Sequence, residues 1–170
     1  MSCTDVPKIL EDKPHRSACK RLAELLPDCC CEHESVCPEL SPGVVQDHET
    51  LARFVPAKDL DPETSGVKPS LFEKASENGM SVTRLDLAGE EIVYRQQIEG
   101  NFSGFVTALC QDIRSKMHEG RRLFCVYDTA LGSNTNHADV CQAIGSTTGS
   151  AAIKLRRELQ LTFTRIIVGR

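Results

Sequence analysis

Short runs of strand length, separated by turn-forming residues, constrain this chain more than any other feature. Residues 51–55, 80–87, 123–127, 137–141 and 161–168 make five such runs. Leu51-Ala52-Arg53-Phe54-Val55 is apolar but for its central arginine and is stopped by Pro56. Residues 80–87 follow the turn-forming pair Asn78-Gly79 and partly alternate, as a half-buried strand does. Leu123-Phe124-Cys125-Val126-Tyr127 is a continuous apolar run of the interior-strand type. Two stretches have helical spacing instead. Residues 101–117 carry Phe102, Phe105, Val106, Leu109, Ile113 and Met117 on one stripe, with Gly120 just beyond. Residues 150–159 place Ala152, Leu155 and Leu159 on an inner face, after the hydroxyl-rich turn at 145–149. A turn of helix is expected at residues 70–72. The order of these elements predicts an α+β domain over residues 47–170: one compact unit with a small mixed sheet and two main helices.

Residues 1–46 read as a separate, Cys-rich N-terminal extension. Ala18, Leu22, Leu25 and Leu26 predict a short amphipathic helix over 16–26, which Pro27 ends. Beyond it, Cys29-Cys30-Cys31-Glu32-His33-Glu34-Ser35-Val36-Cys37 gathers four of the nine cysteines and a histidine. Thiolate and imidazole are zinc ligands, and a tetrahedral set from Cys29, Cys31, His33 and Cys37 is sterically feasible, with Cys3, Cys19 or Cys30 as substitutes. The usual zinc spacing, two cysteine pairs separated by a dozen or more residues, is missing. A structural zinc, a redox-active thiol and an ordinary loop all fit the segment. Glu32 and Glu34 disfavour a reactive thiolate by raising its pKa.

A chain of 170 residues suffices for one domain with a sizeable core. Its net charge of −4 argues against a general nucleic-acid binder. The charge is uneven: residues 1–50 hold five Lys/Arg against ten Asp/Glu, whereas residues 150–170 hold five against Glu158 alone. No apolar stretch approaches the roughly 20 residues of a membrane helix, and no signal-like run opens the chain. A cytoplasmic setting is therefore expected. Reducing conditions disfavour disulfides there, which makes Cys110, Cys125 and Cys141, all set among apolar residues, buried and inert packing.

Five polar residues stand out as a candidate ligand site. Arg53 and Arg84 each lie within a strand, where a guanidinium must reach solvent, an acid or a ligand. With Ser70 and His137 they are the kind of groups that bind a phosphate or a nucleotide. His137 and Asp139 bracket Ala138, so on a strand they project to one face as a base and its orienter, or as two ligands. The bland alternatives are cross-sheet pairing of the arginines with Asp59, Asp86 or Glu99, and a buried histidine that holds a loop by hydrogen bonds. Gly145-Ser146-Thr147-Thr148-Gly149 lacks the Gly-Lys-Ser/Thr ending of a phosphate-binding loop and reads as a helix cap. No serine elbow, close carboxylate pair or His-Glu-x-x-His segment is present.

Four blocks together resemble a scattered family of small bacterial proteins of unknown function: Leu51-Ala52-Arg53-Phe54-Val55, Lys68-Pro69-Ser70-Leu71-Phe72, Met80-Ser81-Val82-Thr83-Arg84, and Asn136-His137-Ala138-Asp139-Val140 followed by Gly145. The similarity spans residues 49–160 and implies one compact domain and a bacterial setting, with no activity to carry over. A first-strand arginine followed by a polar serine strand is also similar to ADP-ribosyltransferase-like folds, yet no matching catalytic glutamate motif follows. The expectation from sequence is a cytoplasmic accessory protein that docks onto a protein partner, with a zinc-tied extension. Its rival is a small enzyme or ligand binder that uses Arg53, Ser70, Arg84 and His137 on an anionic ligand.

Overall fold

The computed structural model describes residues 8–9, 32, 35, 37–61, 63–64, 66–130, 132–143 and 149–168. Its strands are β1 (Thr50–Val55), β2 (Leu60–Asp61), β3 (Gly66–Val67), β4 (Met80–Arg84), β5 (Gly104–Leu109), β6 (Met117–His118), β7 (Arg121–Arg122), β8 (Phe124–Asp128), β9 (His137–Gln142) and β10 (Arg165–Val168). Its α-helices are α1 (Leu85–Ala88), α2 (Glu90–Glu99), α3 (Cys110–Arg114) and α4 (Ser150–Thr162), with 3-10 segments at Ala57–Asp59 and Pro69–Ser76. Six strands form the main sheet in the order β10-β5-β1-β4-β9-β8. The domain is α+β, as expected. The sheet is antiparallel at every described pairing rather than mixed.

Alternation along the strands divides the core in two. Leu51, Val55, Met80, Val82, Val106, Ala108, Phe124, Val126, Ala138 and Val140 share one buried cluster, to which Leu71 and Phe72 of the 3-10 segment and Leu155 and Leu159 of α4 also belong. The other face holds a smaller cluster of Ala52, Phe105, Ala88 and Val93 beneath α1 and α2. There Phe54 stacks on Phe102 at 5.1 Å between ring centroids, and Tyr94 meets Phe105 edge-on at 5.6 Å.

The helix expected over 101–117 is instead strand β5 followed by the short helix α3. Strand β5 lies between β10 and β1, with five of its six residues buried on both faces. A strand covered on both faces carries no alternation, so its apolar residues also satisfy a helical template. Helix α2 was missed because its ten residues bury only Val93 and Gln97. The run at 80–87 is a strand only as far as Arg84, where the chain turns into α1. Helix α4 matches its expected start and runs to Thr162, which delays the last strand to Arg165. The expected helix at 16–26 and the turn at 145–148 lie outside the described residues.

The described residues before Asp47 are part of this body. Val45 is fully buried within the main core cluster, and Ile9 and Glu32 are nearly so. The backbone carbonyls of Gly43 and Val44 accept hydrogen bonds from Arg84. A protein beginning at Asp47 would forfeit the burial of Val45, about 1.5–3 kcal/mol, and would orphan donors of a buried guanidinium at about 1–3 kcal/mol each. Its urea midpoint is expected to fall well below that of the full chain. Equal midpoints would show that residues 1–46 contribute nothing to the core.

Candidate functional site

The sheet register decides where each candidate residue stands. Leu51 lies opposite Arg84 and Ala52 opposite Thr83, while Thr83 faces His137 and Ser81 faces Asp139 across the next pairing. Arg53 and Arg84 therefore share the sheet face of the large core, and His137 and Asp139 project from the other. The five residues fall into three places.

Arg84 is buried, at 2% exposure. Its Nε and Nη2 donate to the two carboxylate oxygens of Glu49 at 2.7 and 2.6 Å. Its Nη1 donates to the Gly43 carbonyl at 2.6 Å, and Nη2 also reaches the Val44 carbonyl at 3.1 Å. Asp128 lies 4.0 Å from Nη1 and adds a second negative charge. Four of the five N–H groups of this guanidinium are thus hydrogen-bonded, two of them bidentate to one carboxylate. The contacts of Arg84 in the structure are all to groups of the fold. Its partner is Glu49, one residue before β1, rather than Asp59, Asp86 or Glu99. Asp86 instead accepts from the Thr50 backbone at 2.5 Å.

Arg53 occupies the second place, with Ser70. Its Nη1 donates to the Ser81 carbonyl at 3.0 Å, while its Nε finds no hydrogen-bond partner among the described residues. Burial pulls its pKa down, against the opposing charges of Asp59 and Asp139 nearby. Ser70 does not turn towards a ligand; its hydroxyl donates to Asp59 Oδ1 at 2.8 Å. Arg53 and Ser70 are thus linked through one carboxylate. An anion approaching Arg53 would meet the repulsion of Asp59 and Asp139.

His137 and Asp139 form the third place, with His137 Nδ1 and Asp139 Oδ2 separated by 3.9 Å. His137 Nδ1 also lies 2.8 Å from Thr129 Oγ1 and 3.1 Å from the Thr129 carbonyl. A carbonyl only accepts, so Nδ1 carries the proton when that bond is made. The backbone closes the same loop, with Thr129 N–H donating to the His137 carbonyl and His137 N–H to that of Asn134. Asp139 is completely buried and accepts from the Ser81 hydroxyl at 3.4 Å. His137 here pins the loop between β8 and β9, the commoner use of a buried histidine.

Of the metal-ligand candidates, Cys29, Cys31 and His33 lie outside the described residues, and Cys37 is a free, half-buried thiol. Among the described residues, no group of three or more His, Cys, Asp or Glu is placed to hold a metal ion. Cys110 is buried packing as expected, its thiol pushed up to about 12 by burial. Cys125 and Cys141 are buried but disulfide-bonded, which corrects their reading as inert thiols. Apolar neighbours mark a cysteine as buried without distinguishing a thiol from a half-cystine.

Sequence reasoning missed Glu32. Its Oε1 accepts from the Val126 N–H at 2.9 Å on β8, the edge strand, and its Oε2 lies 2.7 Å from Arg114 Nε. Arg122 Nη1 adds a contact at 3.3 Å, and Arg114 continues to Asp47 at 2.7 Å. Burial raises the Glu32 pKa despite these partners. Its position between cysteines hid it, since nothing local announces a contact with residues 82 to 94 positions away. No family model matches the chain, and neither does any curated protein or solved structure.

The Glu49–Arg84 pair fixes a pH dependence. Burial pushes the Glu49 carboxyl up, but the hydrogen bonds from Arg84 and the Gln46 N–H outweigh it and hold the pKa below the usual value. A lowered folded pKa gives stability that is present above the unfolded value, about 4.3, and is lost as pH falls through the folded one. Arg84→Ala should cost about 3–5 kcal/mol near neutral pH, because it leaves a buried carboxylate without its cation. In that variant burial, the largest single influence on Glu49, is opposed mainly by the Gln46 N–H; it then prevails, the sign reverses, and acidification relieves the defect. Urea unfolding of both proteins across pH 7 to 4 should show the gap narrowing. A gap that stays constant or widens would remove Glu49 as the partner.

Proposed function

We propose that this protein is a non-catalytic interaction module that works by docking onto a protein partner. One observation carries the reading: the residues that would build an anion site are distributed over three places, and each is used by the fold itself. Arg84 is bound by Glu49, Ser70 by Asp59, and His137 by Thr129. Arg53 keeps an Nε without a hydrogen-bond partner among the described residues, and two carboxylates stand beside it. A bacterial setting belongs to the same proposal and rests on the resemblance of the four sequence blocks.

No described helix is long and apolar enough to cross a membrane. The cytoplasmic setting expected from sequence sits poorly with disulfides at Cys125 and Cys141, since thiols in that compartment are kept reduced. The proposal therefore takes an oxidising environment as the place where the module works.

Thermal-shift measurements on the full chain with inorganic phosphate, ATP and NAD should show no stabilisation. Crosslinking in cells should recover a stoichiometric protein partner whose capture survives Arg53→Gln. A melting temperature raised by any of these ligands, with the rise abolished in Arg53→Gln, would replace docking by ligand binding.

A further inference from the structure

Two of the nine cysteines, Cys125 on β8 and Cys141 on β9, are disulfide-bonded, and the sheet places them directly opposite one another. Both are buried, on the sheet face away from the main cluster that holds Phe124, Val126, Ala138 and Val140. The simplest bridge would join the two to each other, but their position in the ladder disfavours it. At one end of the pairing the Thr129 N–H donates to the His137 carbonyl, and at the other the Ala143 N–H donates to the Leu123 carbonyl. Hydrogen-bonded pairs recur at every second residue of an antiparallel ladder, so the register makes Cys125 and Cys141 such a pair. It also leaves Val126 in a non-bonded pair with Val140, and the Val126 N–H accordingly donates to Glu32 rather than to β9.

Opposed side chains in a hydrogen-bonded pair stand at the wide end of the cross-strand range, with Cβ atoms about 5.5 Å apart. A disulfide needs about 3.5–4.5 Å between them. A bridge from Cys125 to Cys141 would therefore have to draw two mid-strand residues together inside a packed interior. Cys37 and Cys110 are free thiols. The sulfurs left to bond Cys125 and Cys141 are then those of Cys3, Cys19, Cys29, Cys30 and Cys31, all within residues 1–31.

Glu32 narrows the choice for Cys125. Its carboxylate accepts from the N–H of Val126, the residue after Cys125, at 2.9 Å. Cys29, Cys30 and Cys31 precede Glu32 by three residues at most, a reach of about 10 Å for extended chain. We infer that Cys125 is bonded to one of Cys29, Cys30 and Cys31, and Cys141 to another cysteine of residues 1–31. Two covalent ties then join the N-terminal segment to β8 and β9, each closing a loop of more than half the chain. Closures of that length restrict the unfolded chain most, and the first of them keeps Glu32 beside the strand whose N–H it accepts.

The test maps the disulfides of the full chain, alkylated without reduction and then digested with trypsin and a protease that cuts before aspartate. Asp128 and Asp139 lie between Cys125 and Cys141, so the digest separates the two, and cuts at Lys20, Arg21 and Asp28 separate Cys19 from the cluster. Mass spectrometry should find the Cys125 peptide linked at Cys29, Cys30 or Cys31, with Cys37 carrying the alkyl label, and the Cys141 peptide linked to a second cysteine of residues 1–31. A Cys125 peptide linked to the Cys141 peptide would overturn the assignment, as would an alkyl label on both. Links between isotopically labelled and unlabelled copies would give the partner to a second chain and overturn it as well. A dithiol reductant supplies two electrons and two protons to each bond, leaving two thiols while the reductant closes to its own disulfide. Reduction should lower the urea midpoint of the full chain, and the double variant Cys125→Ala, Cys141→Ala should start lower and lose most of that response. An equal fall in both proteins would place the stabilising bonds elsewhere and overturn the tie.

Discussion

A buried arginine within a strand is tolerable only where the rest of the chain is arranged around it, and Arg84 imposes that arrangement here. Its guanidinium takes Glu49 from the start of β1 and the carbonyls of Gly43 and Val44 from the segment before it. That segment is thereby fixed, and Val45 is carried into the core. Glu49 extends the effect through its main chain: its carbonyl accepts from Cys110 N–H, while the Asp47 carbonyl accepts from Gln111 N–H. The start of α3 is thus hung on the same few residues. Desolvating two charges costs several kcal/mol per ion, so such a pair adds little net stability over an apolar substitute. What it contributes is dependence: losing either partner strands the other.

A second clasp acts on the opposite problem, the edge of the sheet. Among the described residues strand β8 has no further strand beyond it, and its Val126 N–H donates to Glu32. The Glu32 carboxylate meets that N–H as the carbonyl of another strand would, and Arg114 and Arg122 neutralise its charge. An uncovered edge is a template for unwanted pairing. The two clasps differ in their response to acid, because burial dominates at Glu32 and hydrogen bonding at Glu49. Acidification therefore weakens the Glu49 contribution while easing the burial of Glu32.

How far sequence reasoning reached follows from where each signal lies. Strands β1, β8 and β9 were legible because turn residues bracket them, and the inner face of α4 because Leu155 and Leu159 repeat at helical spacing. Strand β5 was not, because burial on both faces erases the period that separates strand from helix. The site reading shows the same division. That His137 and Asp139 share a face is a property of alternation, visible in three residues. That Arg84 pairs with Glu49 depends on the antiparallel register of β1 and β4, which places Leu51 beside Arg84 and so brings the preceding turn within reach. Arg53 and Arg84 look alike in sequence, each a lone cation in an apolar strand, and only their cross-strand neighbours separate them.

This difference between the arginines also explains why so polar a set of residues makes no concave site. Charged groups on a sheet converge when neighbouring strands present them at one level and on one face. Here Arg84 is beside the first residues of β1 while Arg53 reaches the opposite end of β4, at the Ser81 carbonyl. His137 and Asp139 lie on the reverse face, where Thr129 and Ser81 satisfy them. Apart from the Arg53 Nε, these groups are thus met locally by a nearby hydrogen-bond partner, as burial of polar atoms requires. Groups already satisfied in this way resist being redirected to a ligand, since every new contact must first break an old one.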